Sequence, residues 1–336
     1  MSIAYRWIHK VWYEDSALGW LLLPFSGIYW LLLKLRALLI RYGALRSYKA
    51  AVPVIIVGNI TAGGTGKTPT VIWLVNELRA KGYAPGIVSR GYGGSKSGTS
   101  MRVDSDSEAS VVGDEPVLLA RRGRCPVAVD ADRVRAAAML VDDGVNVIVA
   151  DDGLQHRRLQ RDFEICVIDG ERGFGNGRLL PAGPLRESPK RLQSVDQILV
   201  NGTARIPHAI EFELVATDAS RLNGSLARPL QGFSDTTVHA VAGIGNPRRF
   251  FDLLRRHGIQ VIEHSLSDHA AVSLEDMEFG DDFAIFMTEK DAVKLGRNVS
   301  DKYWSIPVDL KMDATSSTAL LDRIEQRLQR SGGSSE

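Results

Sequence analysis

The chain has 336 residues, 44% apolar and 24% charged, enough for a sizeable core and, as a prior, two domains. Lysine plus arginine (41) nearly balances aspartate plus glutamate (40), for a net charge of +1; nucleic acid is therefore not expected as a partner. Two cysteines, Cys125 and Cys166, provide neither a disulfide framework nor a metal cluster.

Residues 1–50 stand apart as an apolar, membrane-associating N-terminal helix. Ser16–Leu33 carries no charge and includes Trp20, Leu21, Leu22, Leu23, Trp30, Leu31 and Leu32. As a helix it spans about 27 Å, just short of the roughly 30 Å hydrocarbon core. Pro24, Ser26 and Gly27 weaken its middle, Trp12, Trp20 and Trp30 favour an interface, and Lys34, Arg36, Arg41, Arg46 and Lys49 follow it. A helix lying in or dipping into the cytoplasmic leaflet fits this pattern better than a clean span. The alternative is a long core-docking helix of a soluble protein. No small-residue cleavage site follows, which argues against a secretory signal.

Val54–Thr70 organises the remainder. Four apolar residues, Val54 to Val57, predict a buried strand; a glycine-rich turn follows, and Pro69 opens a helical pattern through Val71, Ile72, Leu74, Val75 and Leu78. Strand, glycine loop and helix form a phosphate cradle. In the loop Thr61, Ala62, Gly63, Gly64, Thr65, Gly66, Lys67 and Thr68, the glycines turn backbone N–H groups toward an anion. Lys67 meets the β/γ-phosphates and Thr68 offers a hydroxyl to Mg²⁺. Thr61 stands where a Walker A loop usually has its first glycine.

Beyond this helix, expected over Thr70–Lys81, apolar runs at Gly86–Arg90, Val127–Asp130, Val145–Asp151, Phe163–Asp169 and Gln197–Asn201 alternate with helical patterns such as Ala131–Asp142. They predict an α/β fold: a P-loop NTPase-like, mostly parallel sheet domain over 51–210, with ligands at the carboxyl ends of its strands. Gly91–Glu108 has no apolar periodicity and is expected to be a mobile surface loop. Residues 211–237 suit a linker, and a smaller α/β domain is expected over 238–336. Its strands are expected at His239–Gly245, Gln260–His264, Asp282–Thr288 and Ser305–Leu310, and its helices at Pro247–His257 and Ser316–Gln329; the tail from Ser331 is expected to fray.

Asp151 and Asp152 emerge at the end of an apolar strand, the Walker B position, where carboxylates hold Mg²⁺; an aspartate-rich turn is the plainer alternative. Asp114 and Glu115 precede an apolar helix and suit either a helix cap or a base for a hydroxyl acceptor. Arg90, Arg133 and Arg186 are candidate phosphate clamps, each also compatible with a solvated charge. Thr288-Glu289-Lys290-Asp291 does not satisfy the order of a guanine-specificity signature, which argues against a GTPase.

The ordered set V-G-N-I-T-A-G-G-T-G-K-T-P (57–69), S-R-G-Y-G (89–93), G-D-E-P (113–116), D-D-G-L-Q-H (151–156), P-A-G-P-L-R-E (181–187), G-I-G-N-P (243–247), S-D-H (267–269) and T-E-K-D-A-V-K (288–294) resembles the tetraacyldisaccharide 4'-kinases of lipid A biosynthesis, whose own phosphate loop has the Thr61 form. The resemblance implies transfer of the γ-phosphate of ATP to the 4'-hydroxyl of a tetraacyldisaccharide 1-phosphate at the cytoplasmic face of a bacterial inner membrane. It further implies two α/β domains joined by a β-hairpin, with nucleotide between them. By match to the motifs, Lys67 and Thr68 serve phosphate and Mg²⁺, Asp151 and Asp152 are metal-side carboxylates, and Gln155 and His156 are neighbouring site positions. Asp114 is implied as base, helped by His269, with Glu115 (assigned to the metal), Arg133 and Arg186 lining the site. The acylated disaccharide and the membrane surface are the implied partners, with no obligate protein partner. The competing functions are a membrane-recruited P-loop ATPase switch and a soluble small-molecule P-loop kinase or ligase.

Overall fold

The computed structural model describes residues 3–14, 16–43, 47–95, 98–267, 270, 272–296 and 298–332. Three helices, α1 (Ile3–Tyr13), α2 (Leu18–Leu21) and α3 (Leu23–Arg41), precede the first sheet. That sheet draws on β1 (Val54–Gly58), β2 (Pro85–Ser89), β3 (Met101–Val103), β4 (Val127–Val129), β5 (Val147–Asp151), β6 (Phe163–Asp169), β7 (Gln197–Asn201) and β8 (Ala209–Val215). The second draws on β9 (Asp218–Arg221), β10 (Ala227–Pro229), β11 (Thr237–Ala242), β12 (Gln260–Ser265), β13 (Ala284–Thr288) and β14 (Tyr303–Ile306). A last strand, β15 (Asp309–Lys311), returns to the first. The remaining helices are α4 (Lys67–Ala80), α5 (Ala109–Val112), α6 (Asp114–Gly123), α7 (Arg133–Asp142), α8 (Pro247–Arg256), α9 (Glu289–Leu295) and α10 (Ala314–Gly332).

Among the described residues the first sheet runs β15-β8-β7-β6-β1-β5-β2-β4-β3 and the second β10-β9-β14-β13-β11-β12. The first is parallel from β8 to β4 with an antiparallel strand at each edge. All five β1 residues are buried. Ile55 and Val57 join an apolar cluster with Val71, Leu74 and Leu78 of α4, while Val54 and Ile56 join the opposite layer with Ala136, Ala137 and Leu140 of α7. Burial on both faces is why a central parallel strand reads as a continuous apolar run.

Four expectations change. Residues 309–332 do not belong to the second unit: β15 pairs with β8, and Leu320, Leu321, Ile324 and Leu328 of α10 join the cluster of α4. Spacing of four residues puts Leu320, Ile324 and Leu328 on one stripe, and burying each contributes about 1.5–3 kcal/mol. The run expected as one strand at Ser305–Leu310 is two strands in different sheets, separated at Pro307, which has no N–H to offer a ladder. Gly91–Glu108 contains β3, which pairs with β4; three residues are too few to show a period. Within 211–237, the end of β8 stays in the first sheet and β9 and β10 form an antiparallel pair at the edge of the second.

The N-terminal helices attach through polar contacts. Ser26 Oγ donates to Leu179 O (2.8 Å) and accepts from Ala182 N (3.1 Å), Tyr29 Oη donates to Arg186 O (3.0 Å), and Trp12 Nε1 donates to Pro181 O (3.0 Å). Only 6% of the apolar stretch Leu23–Ile40 is buried, and Phe25, Ile28, Trp30, Leu31, Leu32 and Leu35 are exposed. This is not a core helix. It is compatible with membrane association.

Candidate active site

The phosphate loop occupies the turn between β1 and α4. Gly66, at φ 102°, is the N-cap residue of α4, so the helix begins at Lys67, three residues before the periodicity placed it. A Cβ there would come within 3.0 Å of Asn201 Nδ2 and 3.3 Å of the Phe212 ring, in a backbone region that favours glycine. Two buried asparagines brace the loop. Asn59 Nδ2 donates to Gly63 O (3.3 Å) and Thr65 Oγ1 (3.4 Å), and Asn201 Nδ2 donates to Thr65 O (3.3 Å).

Register brings the acidic turn beside this loop, because Val57 of β1 pairs with Asp151 of β5. Asp151 is 2% exposed; Ser89 Oγ donates to its Oδ2 (3.4 Å), and Oδ1 is buried without a partner. Burial, then the negative charges of Glu115 and Asp152, push its carboxyl above the usual carboxylate range. Asp152 takes φ 47°, a strained value for a non-glycine residue. It receives Arg186 Nη1 at 3.0 and 2.9 Å and lies 3.6 Å from Lys67 Nζ. Burial acts to raise its pKa, but these two cations outweigh it and hold the carboxyl low.

Arg133, expected as a site residue, lines the cleft and is also held by the protein. It is buried at the start of α7 and donates from Nη2 to the backbone oxygens of Asp152 (2.9 Å) and Asp151 (3.4 Å), so it supports the acidic turn. His156 is pushed down to about 4 by burial and then by the nearby Arg133 charge, and is neutral at pH 7. Gln155 Nε2 donates to Asn59 O (3.0 Å) and Glu187 Oε1 (2.9 Å).

A cleft of about 1230 Å³ gathers Gly63, Gly64, Thr65, Gly66, Lys67, Thr68, Glu115, Arg133, Asp151, Asp152, Gln155, His156 and Arg186 along its wall, with Arg90 beside them. Thr61 and Ala62 are not in that wall. Thr61 is buried and bridged to Leu185, and Ala62 N donates to Pro184 O (2.7 Å), so both fasten the loop to the 181–187 segment and do not face the ligand space. Asp114 is buried at the first turn of α6, next to the lining residue Glu115. His269 lies outside the described residues.

Several participants escaped the sequence reading. Arg172 Nε donates to Asp169 Oδ2 (2.9 Å) and Nη1 to Gly245 O (3.0 Å), and Nη2 donates to Gly64 O. Arg249 Nη2 reaches Asp169 Oδ1 (2.9 Å). Together they tie the second domain to the phosphate loop. Asp169 and Asn201 end the neighbouring strands β6 and β7, and a polar residue ending an apolar strand is the signal that could have found them.

Among the described residues no group of three or more His, Cys, Asp or Glu side chains converges as a metal cage. The arrangement fits Mg²⁺ nonetheless, since that ion binds through one or two carboxylates together with substrate phosphates and water. The partnerless Asp151 Oδ1, on a residue that shares the cleft wall with Thr68, is the kind of oxygen such an ion requires. Glu115, assigned to the same ion from sequence, is here engaged by Lys290 Nζ at 3.1 Å.

The family described as LpxK, tetraacyldisaccharide-1-P 4'-kinase, matches residues 18–328. Proteins named tetraacyldisaccharide 4'-kinase from Nitrosococcus oceani and Alkalilimnicola ehrlichii are 45% and 47% identical, with 95% and 91% of this chain and 94% and 92% of theirs aligned. The crystal structure of LpxK from Aquifex aeolicus in complex with ATP superposes with a TM-score of 0.76 at 27% identity, over 94% of this chain and 99% of that one. These relatives are named as kinases, which disfavours the ATPase-switch alternative. The chain belongs to the tetraacyldisaccharide 4'-kinase family.

Proposed function

We propose that this enzyme transfers the γ-phosphate of ATP to the 4'-hydroxyl of a tetraacyldisaccharide 1-phosphate at the cytoplasmic face of a bacterial inner membrane, giving lipid IVA. One observation carries the reading: Tyr29 and Arg36 of the exposed apolar helix α3 line the same cleft as Lys67, Asp151 and Arg186. A phosphate cradle that opens directly onto a lipid-seeking helix suits an acceptor whose hydroxyl is polar and whose body is acyl chain. Apolar side chains from both domains, Ile72, Leu214, Phe250, Leu253, Ile306 and Val308, provide a wall for a purine ring elsewhere in the cleft.

In this reading the loop N–H groups and Lys67 bind the phosphates, and Arg186 with Arg90 adds positive charge where the equatorial oxygens develop theirs. Thr68, Asp151, Asp152 and Glu115, the last also paired with Lys290, would hold Mg²⁺, which when bound would neutralise phosphate oxygens. Asp114 accepts the 4'-hydroxyl proton as the new O–P bond forms and the bond to the β-phosphate oxygen breaks, with His269 as its orienting partner. The test is transfer of label from [γ-³²P]ATP to the tetraacyldisaccharide 1-phosphate in mixed micelles. A product labelled at the 4'-position is expected; ATP hydrolysis of equal rate with and without the lipid would overturn the reading.

A further inference from the structure

The T-E-K-D-A-V-K segment, 288–294, has no part in the scheme above, yet its charged side chains are all engaged. Glu289 receives Arg122 Nη1 at 2.7 and 2.6 Å, and Lys290 donates to Glu115, both partners lying on α6 of the first domain. Asp291, fully buried, accepts from Thr288 Oγ1 (2.6 Å), from Gly243 N (2.8 Å) and, on its other oxygen, from Lys294 Nζ (2.9 Å). Lys294 is 11% exposed, donates also to Ala270 O (3.0 Å), and stands 3.7 Å from Asp114 Oδ2.

The other end of this chain of contacts lies on the phosphate loop. Gly243 opens the G-I-G-N-P turn, and Gly245 of that turn packs so closely on the Gly64 backbone that a Cβ would collide with Gly64 N. Arg172 holds both glycine carbonyls. A continuous path therefore runs from the phosphate loop through the 243–247 turn, the Asp291 carboxylate and the Lys294 ammonium to Asp114. Buried carboxylates are retained where they are fully hydrogen-bonded, and a lysine between two of them, one from each domain, has few alternative positions.

We infer that Asp291 and Lys294 are positioning residues for phosphoryl transfer, setting Asp114 in register with the nucleotide loop when the two domains meet. The inference rests on Asp114 being the base. A displacement of about 1 Å in a reacting group costs on the order of 10²-fold in rate, which is the scale on which such a link acts. Because Lys294 does not line the cleft and its contacts are Ala270, Asp291 and Asp114, its loss should leave ATP binding intact.

The experiment compares full-length wild type, Lys294→Met, Lys294→Arg, Asp114→Asn and the Asp114→Asn/Lys294→Met pair, using ATP and the tetraacyldisaccharide 1-phosphate in micelles. Lys294→Met should lower kcat about 10- to 100-fold with KM for ATP within about twofold of wild type, and Lys294→Arg should recover most of the loss. The paired variant should be no slower than Asp114→Asn, because residues acting as a unit are non-additive. Wild-type kcat in Lys294→Met, or losses that multiply in the paired variant, would overturn the inference while leaving Asp114 as base; wild-type kcat in Asp114→Asn would overturn the base itself and the inference with it. Should Lys294→Met unfold by leaving Asp291 unpaired, Asp291→Asn/Lys294→Met removes both charges together. The same kcat loss is expected there with a near-native Tm, and a wild-type kcat overturns the inference.

Discussion

Two apolar stretches of this chain, Val54–Gly58 and Leu23–Ile40, meet opposite fates. Every residue of the first is buried between two helical layers, whereas 6% of the second is covered by its own protein. β1 lies in a sheet whose neighbours on both sides, β5 and β6, are equally buried. α3 is fastened to the 179–186 segment by Ser26 and Tyr29 and turns its leucines outward. Apolarity states that a segment must leave water; the neighbouring surface decides whether protein or lipid receives it.

The sharpest break of this comparison is a matched pair of truncations. Ile56→Ala should destabilise the protein by about 2–5 kcal/mol, whereas Leu31→Ser on α3 should stay within about 0.5 kcal/mol, both read by urea unfolding. Equal losses would mean that α3 is packed like core. Lys67→Ala then separates site from scaffold: kcat should fall about 10²–10³-fold with an unchanged unfolding midpoint, since the side chain stabilises transferring charge more than fold. Near-normal turnover would remove Lys67 from the phosphate site.

A smaller effect addresses the outward face. Replacing Ile28, Leu31 and Leu35 with serine strips one helical stripe, and co-sedimentation with anionic vesicles should drop at least about tenfold while turnover of micellar acceptor changes little. Vesicle binding equal to wild type would assign the membrane contact to another surface. The smallest effect is in pH. Unfolded His156 takes its proton near 6.5, the folded residue only near 4. The unfolded state therefore binds more protons within that window, and stability should decline as pH falls from 6.5 toward 4. In His156→Gln this part of the slope should vanish, as urea midpoints at successive pH values would reveal.

Much of the site was legible because its chemistry is local. A strand, a glycine turn and a helix within Val54–Leu78 need only short-range rules, and Asp151 announces itself by ending an apolar run. Arg172, Asn201 and Lys294 were not legible, since each matters through a partner far away in sequence: Asn201 braces Thr65, 136 positions earlier. The contact of Arg133 with the carbonyl of Asp152 was hidden for the same reason, since the sequence shows only an arginine upstream of an acidic motif.

Composition, periodicity and motif order were enough to specify an α/β phosphate-binding enzyme with an apolar N-terminal helix, because strands, cradles and amphipathic patterns are set by neighbours a few residues apart. Only the tertiary structure returned β15 to the first sheet and α10 to its helical layer, set Gly245 against Gly64, and brought Lys294 to Asp114. These are outcomes of long-range packing and charge pairing, in which the free energy belongs to the pair and neither member carries it in its own surroundings.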